Sequence, residues 1–165
     1  MTTALQVETL TFTYPAGWLA SKYDDWSFYR NQFSRQHNFI QAVDMLAREP
    51  NGTAYLIEVK DYRHPDTEQP SQLPQAIANK VLMTLAAMLP AKLNGNDPAE
   101  RTMANAVLSC QKLRVIAHIE LPRAHQPAVN PADLKQKLAQ LLRAVDAHPR
   151  VVSKNNMHGL GWAVA

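Results

Sequence analysis

Residues Tyr55 to Tyr62 (YLIEVKDY) have the composition of a core β-strand, yet a carboxylate and an ammonium sit two positions apart within it. Side chains alternate across a strand, so Glu58, Lys60 and Tyr62 share one face while Ile57, Val59 and Asp61 share the other. Whatever fold the chain adopts must hold those two opposite charges as same-face neighbours. An intrastrand ion pair on a solvated sheet face, contributing roughly 0–1 kcal/mol, meets that demand without any function. A site that needs both charges meets it equally well.

The surrounding sequence places this strand. Asn38 to Leu46 (NFIQAVDML) reads as a partner strand, and the Pro and Asn-Gly turn signals of Glu49 to Thr53 join the two into a hairpin. Upstream, Val7 to Thr13 alternates with period two, Tyr14 to Gly17 supplies turn residues and Trp18 to Tyr23 returns. This predicts an N-terminal hairpin over 5–23. Asp24 or Asp25 can then cap a helix carrying Phe28, Tyr29, Gln32 and Phe33 to about Arg35.

After the hairpin, His64 to Pro74 has three prolines and reads as an exposed loop, followed by a helix over 73–89 with a broad apolar stripe that includes Ile77, Val81, Leu85 and Met88. Asp97-Pro98-Ala99-Glu100 starts a helix over 98–109, and Leu113 to Leu121 is a further core strand. Asn130-Pro131-Ala132-Asp133 repeats the start signal for a helix ending near His148, and Val151-Val152 with Trp162 can add an edge strand. Helix, hairpin, helix, strand and helix in that order describe an α/β (α+β) fold with a mixed β-sheet flanked by helices. We expect one domain over 1–165: an N-terminal hairpin (5–23), a core (24–121) and a C-terminal helix and tail (130–165).

Composition narrows the classes. With 165 residues, 46% hydrophobic and 19% charged, the chain can bury one real core. A single cysteine, Cys110, excludes an internal disulfide framework and a Cys-rich zinc site; a buried, inert thiol in a reducing cytoplasm is the expectation. No export signal and no apolar run of spanning length is apparent, so a soluble protein without membrane association is expected. The net charge of +3 is unevenly spread. Residues 1–70 carry nine acids against six bases, and residues 71–165 carry five against eleven. Such a division suits an acidic, cation-holding site beside a surface that attracts phosphates.

One residue completes the pattern. Asp44, flanked by Val43 and Met45, is an isolated acid in an apolar segment, costly there unless paired or bound to a cation. A hairpin about the Asn-Gly turn brings Asp44 and Glu58 onto adjacent strands, and two convergent carboxylates suit a hard divalent cation. Asp44, thirteen intervening residues and then Glu58-Val59-Lys60 resembles the PD-(D/E)XK nuclease superfamily, whose restriction-endonuclease-like core of helix, three-stranded meander, helix and strand matches the order from Asp24 to Leu121.

That resemblance implies a metal-dependent nuclease, an endonuclease-like hydrolase of phosphodiester bonds in DNA or, as the less favoured substrate, RNA. Asp44 and Glu58 would ligate Mg²⁺ or Mn²⁺ with the backbone carbonyl of Val59, and Lys60 would act on the attacking water or on the charge of the phosphate. Val43 stands where the motif's name has proline. Many members add an acid from the first helix, for which Asp24 and Asp25 are the candidates. Some add a polar residue from the second helix, where Gln75 and Asn79 lie four apart on one face beside Lys80.

Other features read as structure. The six histidines have no HxxxH or HxH spacing, His118 and Glu120 suit a satisfied pair on a sheet face, and Trp26 to Arg30 suits core packing better than base stacking. The rival functions are a catalytically idle nuclease-fold module binding nucleic acid or a protein partner, and a small structural protein whose Glu58 and Lys60 merely pair. A homodimer is plausible, because cutting both strands of a duplex needs two sites.

Overall fold

The N-terminal alternation makes a hairpin, but a tighter one than the turn residues Tyr14 to Gly17 imply. In the computed structural model, which describes residues 1–67, 71–123 and 129–165, β1 (Thr3–Val7) pairs antiparallel with β2 (Leu10–Tyr14). The chain turns at Glu8, with φ +54°. The predicted return arm becomes β3 (Leu19–Lys22), which pairs with β4 (Met45–Arg48) in a different sheet. Tyr14 to Gly17 is therefore a crossing between sheets.

The central hairpin forms as expected. β4 and β5 (Thr53–Asp61) run antiparallel from Met45↔Ile57 to Arg48↔Ala54, turned by Gly52 at φ +104°, a conformation that favours glycine. Asn38 to Val43 does not extend β4. It runs beside the helix over 73–94, where Val43 N–H donates to the buried Thr84 hydroxyl at 3.1 Å and Gln41 N–H points at Met83 Sδ. Side chains there supply the acceptors that a strand ladder would otherwise provide.

The predicted helix over 24–35 is broken into 3-10 turns at Tyr23–Asp25 and Phe33–Arg35 around α1 (Ser27–Asn31). Neither Asp24 nor Asp25 caps it. The free N–H groups of Ser27 and Phe28 donate instead to Glu100 Oε1 and Oε2, at 2.6 and 3.0 Å. Glu100 lies in α3 (Pro98–Leu108), itself capped by Asp97 as predicted. One carboxylate, buried at 9% exposure, thus joins two elements that are far apart in sequence.

The return to a parallel strand requires a long crossover, here α2 (Leu73–Asn94) and α3. β6 (Lys112–Glu120) lies parallel to β5 along its whole length, and β7 (Arg150–Val152) lies parallel to β6, giving the order β3-β4-β5-β6-β7. α4 (Pro131–Leu141) stops short of the predicted His148 and packs, like α3, against α2. Against the expectation that no apolar run reaches spanning length, α2 is by its length and a mean hydropathy of 1.3 long and apolar enough to cross a membrane. In this fold it covers the sheet with Ile77, Val81 and Met88.

The last residues build something the sequence did not suggest. β8 (Ala163–Val164) pairs with β2, so β1-β2-β8 form a second, three-stranded sheet. Trp162, expected at an edge, is buried against Tyr14, Trp18 and Tyr55. The five-stranded sheet therefore has a core on each side: Leu46, Leu56 and Val115 meet the helices, and Met45, Ile57 and Ile116 meet the second sheet. This is a mixed α+β architecture, and β5 has no solvated face. Cys110 is half-buried rather than buried.

Replacing Glu100 should show how much the α1 contact matters. Glu100→Ala is expected to lower stability by about 1–3 kcal/mol in urea unfolding, the range for charge-assisted bonds to N–H groups left without a partner. Asp24→Ala is expected to leave stability unchanged or raise it. Equal losses from both would return the capping role to Asp24.

Candidate active site

The register of the central hairpin brings the two predicted acids together. Continuing from Met45↔Ile57, the next antiparallel pair is Asp44 opposite Glu58, on the helix-facing side of the sheet. Asp44 stands just before β4 and is fixed from two directions. Its Oδ2 accepts the Val59 N–H at 2.6 Å, and its carbonyl accepts the Tyr23 N–H at 2.9 Å. Val59, whose carbonyl the resemblance offers as a ligand, thus enters the site through its amide. The Tyr23 bond draws the neighbouring Asp24 alongside.

Glu58 is 1% exposed. Its Oε1 takes Lys80 Nζ at 2.5 Å, and Lys60 Nζ is 3.7 Å from the same oxygen. Its Oε2 is buried and, like Asp24 Oδ1, receives no hydrogen bond from an N–H or hydroxyl group, while the Glu58 and Asp44 carboxyls share a side-chain hydrogen bond that lowers Asp44. Burial, then the charge of Asp44, pushes the Glu58 carboxyl up to about 8, with Lys80 and Lys60 pulling the other way. Asp24 is pushed to about 6 by burial and then by Asp44. Asp44 is raised by burial, with the Val59 N–H opposing it most strongly.

The remaining predicted residues fall into two groups. Asp25 is exposed, ion-paired to Lys22 at 3.0 Å and to Arg30, and its carboxyl is held low chiefly by the Lys22 hydrogen bond. It stands apart from the acid pair. Gln75 and Asn79 are exposed on α2, whereas Lys80 turns inward. The signal for Lys80 was in the sequence: it is the sole charged residue between Leu73 and Ala91. Glu8 was not anticipated. From the β1–β2 turn its Oε2 accepts the Asp61 N–H at 3.2 Å, and burial and then Asp61 raise its carboxyl. Glu8 and Lys60 line an open cleft of about 450 Å³ with Thr9, His64, Asp66 and Thr67.

On the opposite face, Asp61 is fully buried and gripped by Arg63 at 2.8 and 2.6 Å, which holds it at about 2. His118 and Glu120 pair at 2.8 Å as expected, but inside the protein and against Phe12 rather than on a sheet surface. Trp26 and Phe28 are core residues, as the sequence suggested. His125 and residues 68–70 of the predicted loop lie outside the described residues.

Two buried carboxyls that meet at a strand end, with Asp44 raising both Glu58 and Asp24 while a side-chain hydrogen bond from Glu58 lowers Asp44, have the chemistry of a cation site. Among the described residues, no three His, Cys, Asp or Glu stand close enough together to hold an ion by themselves. The donor set therefore fits Mg²⁺ bound through one or two carboxylates with retained waters and substrate oxygens, not an all-protein cage.

No family model and no solved structure matches the chain. A cysteine–tRNA ligase from Neisseria meningitidis is 28% identical over 150 residues, a match that takes in 73% of this chain and 21% of that protein. The chain thus spans about a fifth of the length of the curated relative it matches.

The acid pair sets a pH dependence. A carboxylate whose folded pKa is raised contributes stability below its unfolded pKa and loses it as pH rises through the folded one. For Glu58 that window runs from 4.5 to about 8, and for Asp24 from 3.8 to about 6. Asp61, lowered to about 2, loses its contribution only at more acid pH. Without divalent ions, unfolding free energy should fall by roughly 1–4 kcal/mol between about pH 5 and about pH 9, and Glu58→Gln should flatten that slope. Urea titrations across the range decide it; an unchanged slope in Glu58→Gln would contradict the assignment.

Proposed function

We propose that this protein is a metal-dependent phosphodiesterase acting on nucleic acid, built on the nuclease plan that Asp44 and Glu58-Val59-Lys60 resemble. The observation that carries the reading is the meeting of two buried carboxyls, Asp44 and Glu58, close enough to share a side-chain hydrogen bond at the end of the β4–β5 hairpin. Asp44 and Glu58 would hold Mg²⁺ or Mn²⁺, with waters, substrate oxygens and the Val59 carbonyl that the resemblance offers as further donors, and with Asp24 outside the ligand set. Once bound, the ion would polarise a phosphoryl oxygen and acidify a water.

The protein's own residues do the rest. The Val59 N–H fixes the rotamer of Asp44. Glu58 stays in place because its strand is buried on both faces. Lys60, whose side chain is 17% exposed, reaches the cleft wall, where its ammonium can neutralise charge gathering on a phosphate in the transition state. The basic excess of residues 71–165 supports backbone contacts that weaken with salt.

Two observations keep other readings in view. Lys80 already neutralises Glu58, as an idle binding module would require. The relative carries the name of an enzyme acting on transfer RNA, which favours RNA as a substrate beside DNA.

Cleavage of single-stranded, duplex and branched DNA, of RNA and of transfer RNA with Mg²⁺ or Mn²⁺ tests the proposal. Wild type should cleave at least one of them. Lys60→Ala should lose about 10²-fold or more in rate while still binding metal, and Asp44→Asn should lose both. Metal binding without cleavage of any substrate would replace this reading with the binding module. Equal rates for wild type and Lys60→Ala would contradict it.

A further inference from the structure

We infer that Lys80 is a resident counter-ion of Glu58, occupying in the cation-free protein the electrostatic place a divalent ion would take, so that cation binding must work against it. The inference rests on the function proposed above and adds a residue to it. The motif accounts for one lysine, Lys60, yet two ammonium groups address a single carboxylate oxygen. Lys80 is the nearer, at 2.5 Å against 3.7 Å, and both side chains are largely shielded from water, with 22% and 17% exposed.

The approaches differ. Lys60 comes from the same strand as Glu58 and also borders the cleft. Lys80 comes from α2, across the sheet–helix interface, as the one charge on an otherwise uncharged stretch from Leu73 to Ala91. Burying that ammonium there is favourable only with a partner, and Glu58 is the partner. Both lysines meet Oε1, and Oε2 receives neither of them, the Glu58 carboxyl sharing its remaining hydrogen bond with Asp44. An ion bound at Oε2 and Asp44 would face a like charge a few ångströms away, in surroundings poor in water to screen it. Lys60 is then the lysine left to meet the phosphate, and Lys80 is a positioning residue that sets cation affinity.

Mn²⁺ titration by calorimetry, with thermal melts in parallel, tests this without reference to cleavage. Lys80→Met is expected to bind Mn²⁺ about tenfold or more tightly than wild type, because the competing charge is gone. Its melting temperature should also rise more on adding Mn²⁺, since the ion then supplies the only strong neutralisation of Glu58. Lys80→Arg should fold normally and bind at least about tenfold more weakly, because its planar fork can cover both oxygens of Glu58. Lys60→Met should tighten binding less than Lys80→Met does, because its ammonium lies farther from the same oxygen.

Folded Lys80→Met with unchanged or weaker affinity overturns the inference, as does Lys60→Met tightening binding to the same degree. If Lys80→Met does not fold, Lys80→Arg decides: weaker binding supports the inference, and unchanged or tighter binding overturns it. Wild type that binds Mn²⁺ while Lys80→Met fails the test sinks this inference alone. If neither wild type nor any variant binds Mn²⁺, the proposed function falls and the inference falls with it.

Discussion

A carboxylate that is 1% exposed, in a strand covered on both faces, is the constraint to which the rest of the molecule responds. Moving an ion of that size out of water costs several kcal/mol even after the protein relaxes, and a single partner recovers that only with good geometry. Glu58 has such a partner in Lys80, which requires α2 to lie over β5 with one particular turn facing inward. It also has an adverse neighbour in Asp44, held beside it by the Val59 N–H. The result is an uneven settlement: one oxygen is tightly paired with an ammonium, and the carboxyl is otherwise left to a hydrogen bond with a second acid.

The fold positions this arrangement through its two layers. The helices close one side of β5 and the β1-β2-β8 sheet closes the other, so the acid pair lies at a strand end where the β1–β2 turn and the chain after β5 bound a cleft. Glu8 and Lys60 line that cleft, and Lys60 connects it to the buried acids. Any substrate reaching Glu58 by this route meets the ammonium of Lys60 first.

Features written in local chemistry were legible in the sequence. The Asn51-Gly52 turn fixes the hairpin register and hence the meeting of Asp44 with Glu58, and the caps before Pro98 and Pro131 fix two helix starts. What was missed depends on contacts distant in sequence. Glu100, not Asp24, satisfies the start of α1, which frees Asp24 to face Asp44. β8 completes a second sheet from the last residues of the chain, and no period in two residues reveals a partner strand 150 positions away. Lys80 was visible as an isolated charge, but helical spacing alone could not say whether it pointed inward, while its neighbours Gln75 and Asn79 point outward.

The central claim is that Asp44 and Glu58 form a site for a hard divalent cation, and locating such an ion tests it directly. A crystal structure with Mn²⁺, read by its anomalous scattering, should place one strong peak between the Asp44 and Glu58 carboxylates, with Glu58 Oε2 among the ligands and waters completing an octahedron at about 2.0–2.2 Å. No peak there at saturating Mn²⁺, with Lys80 still seated on Glu58, would contradict the account.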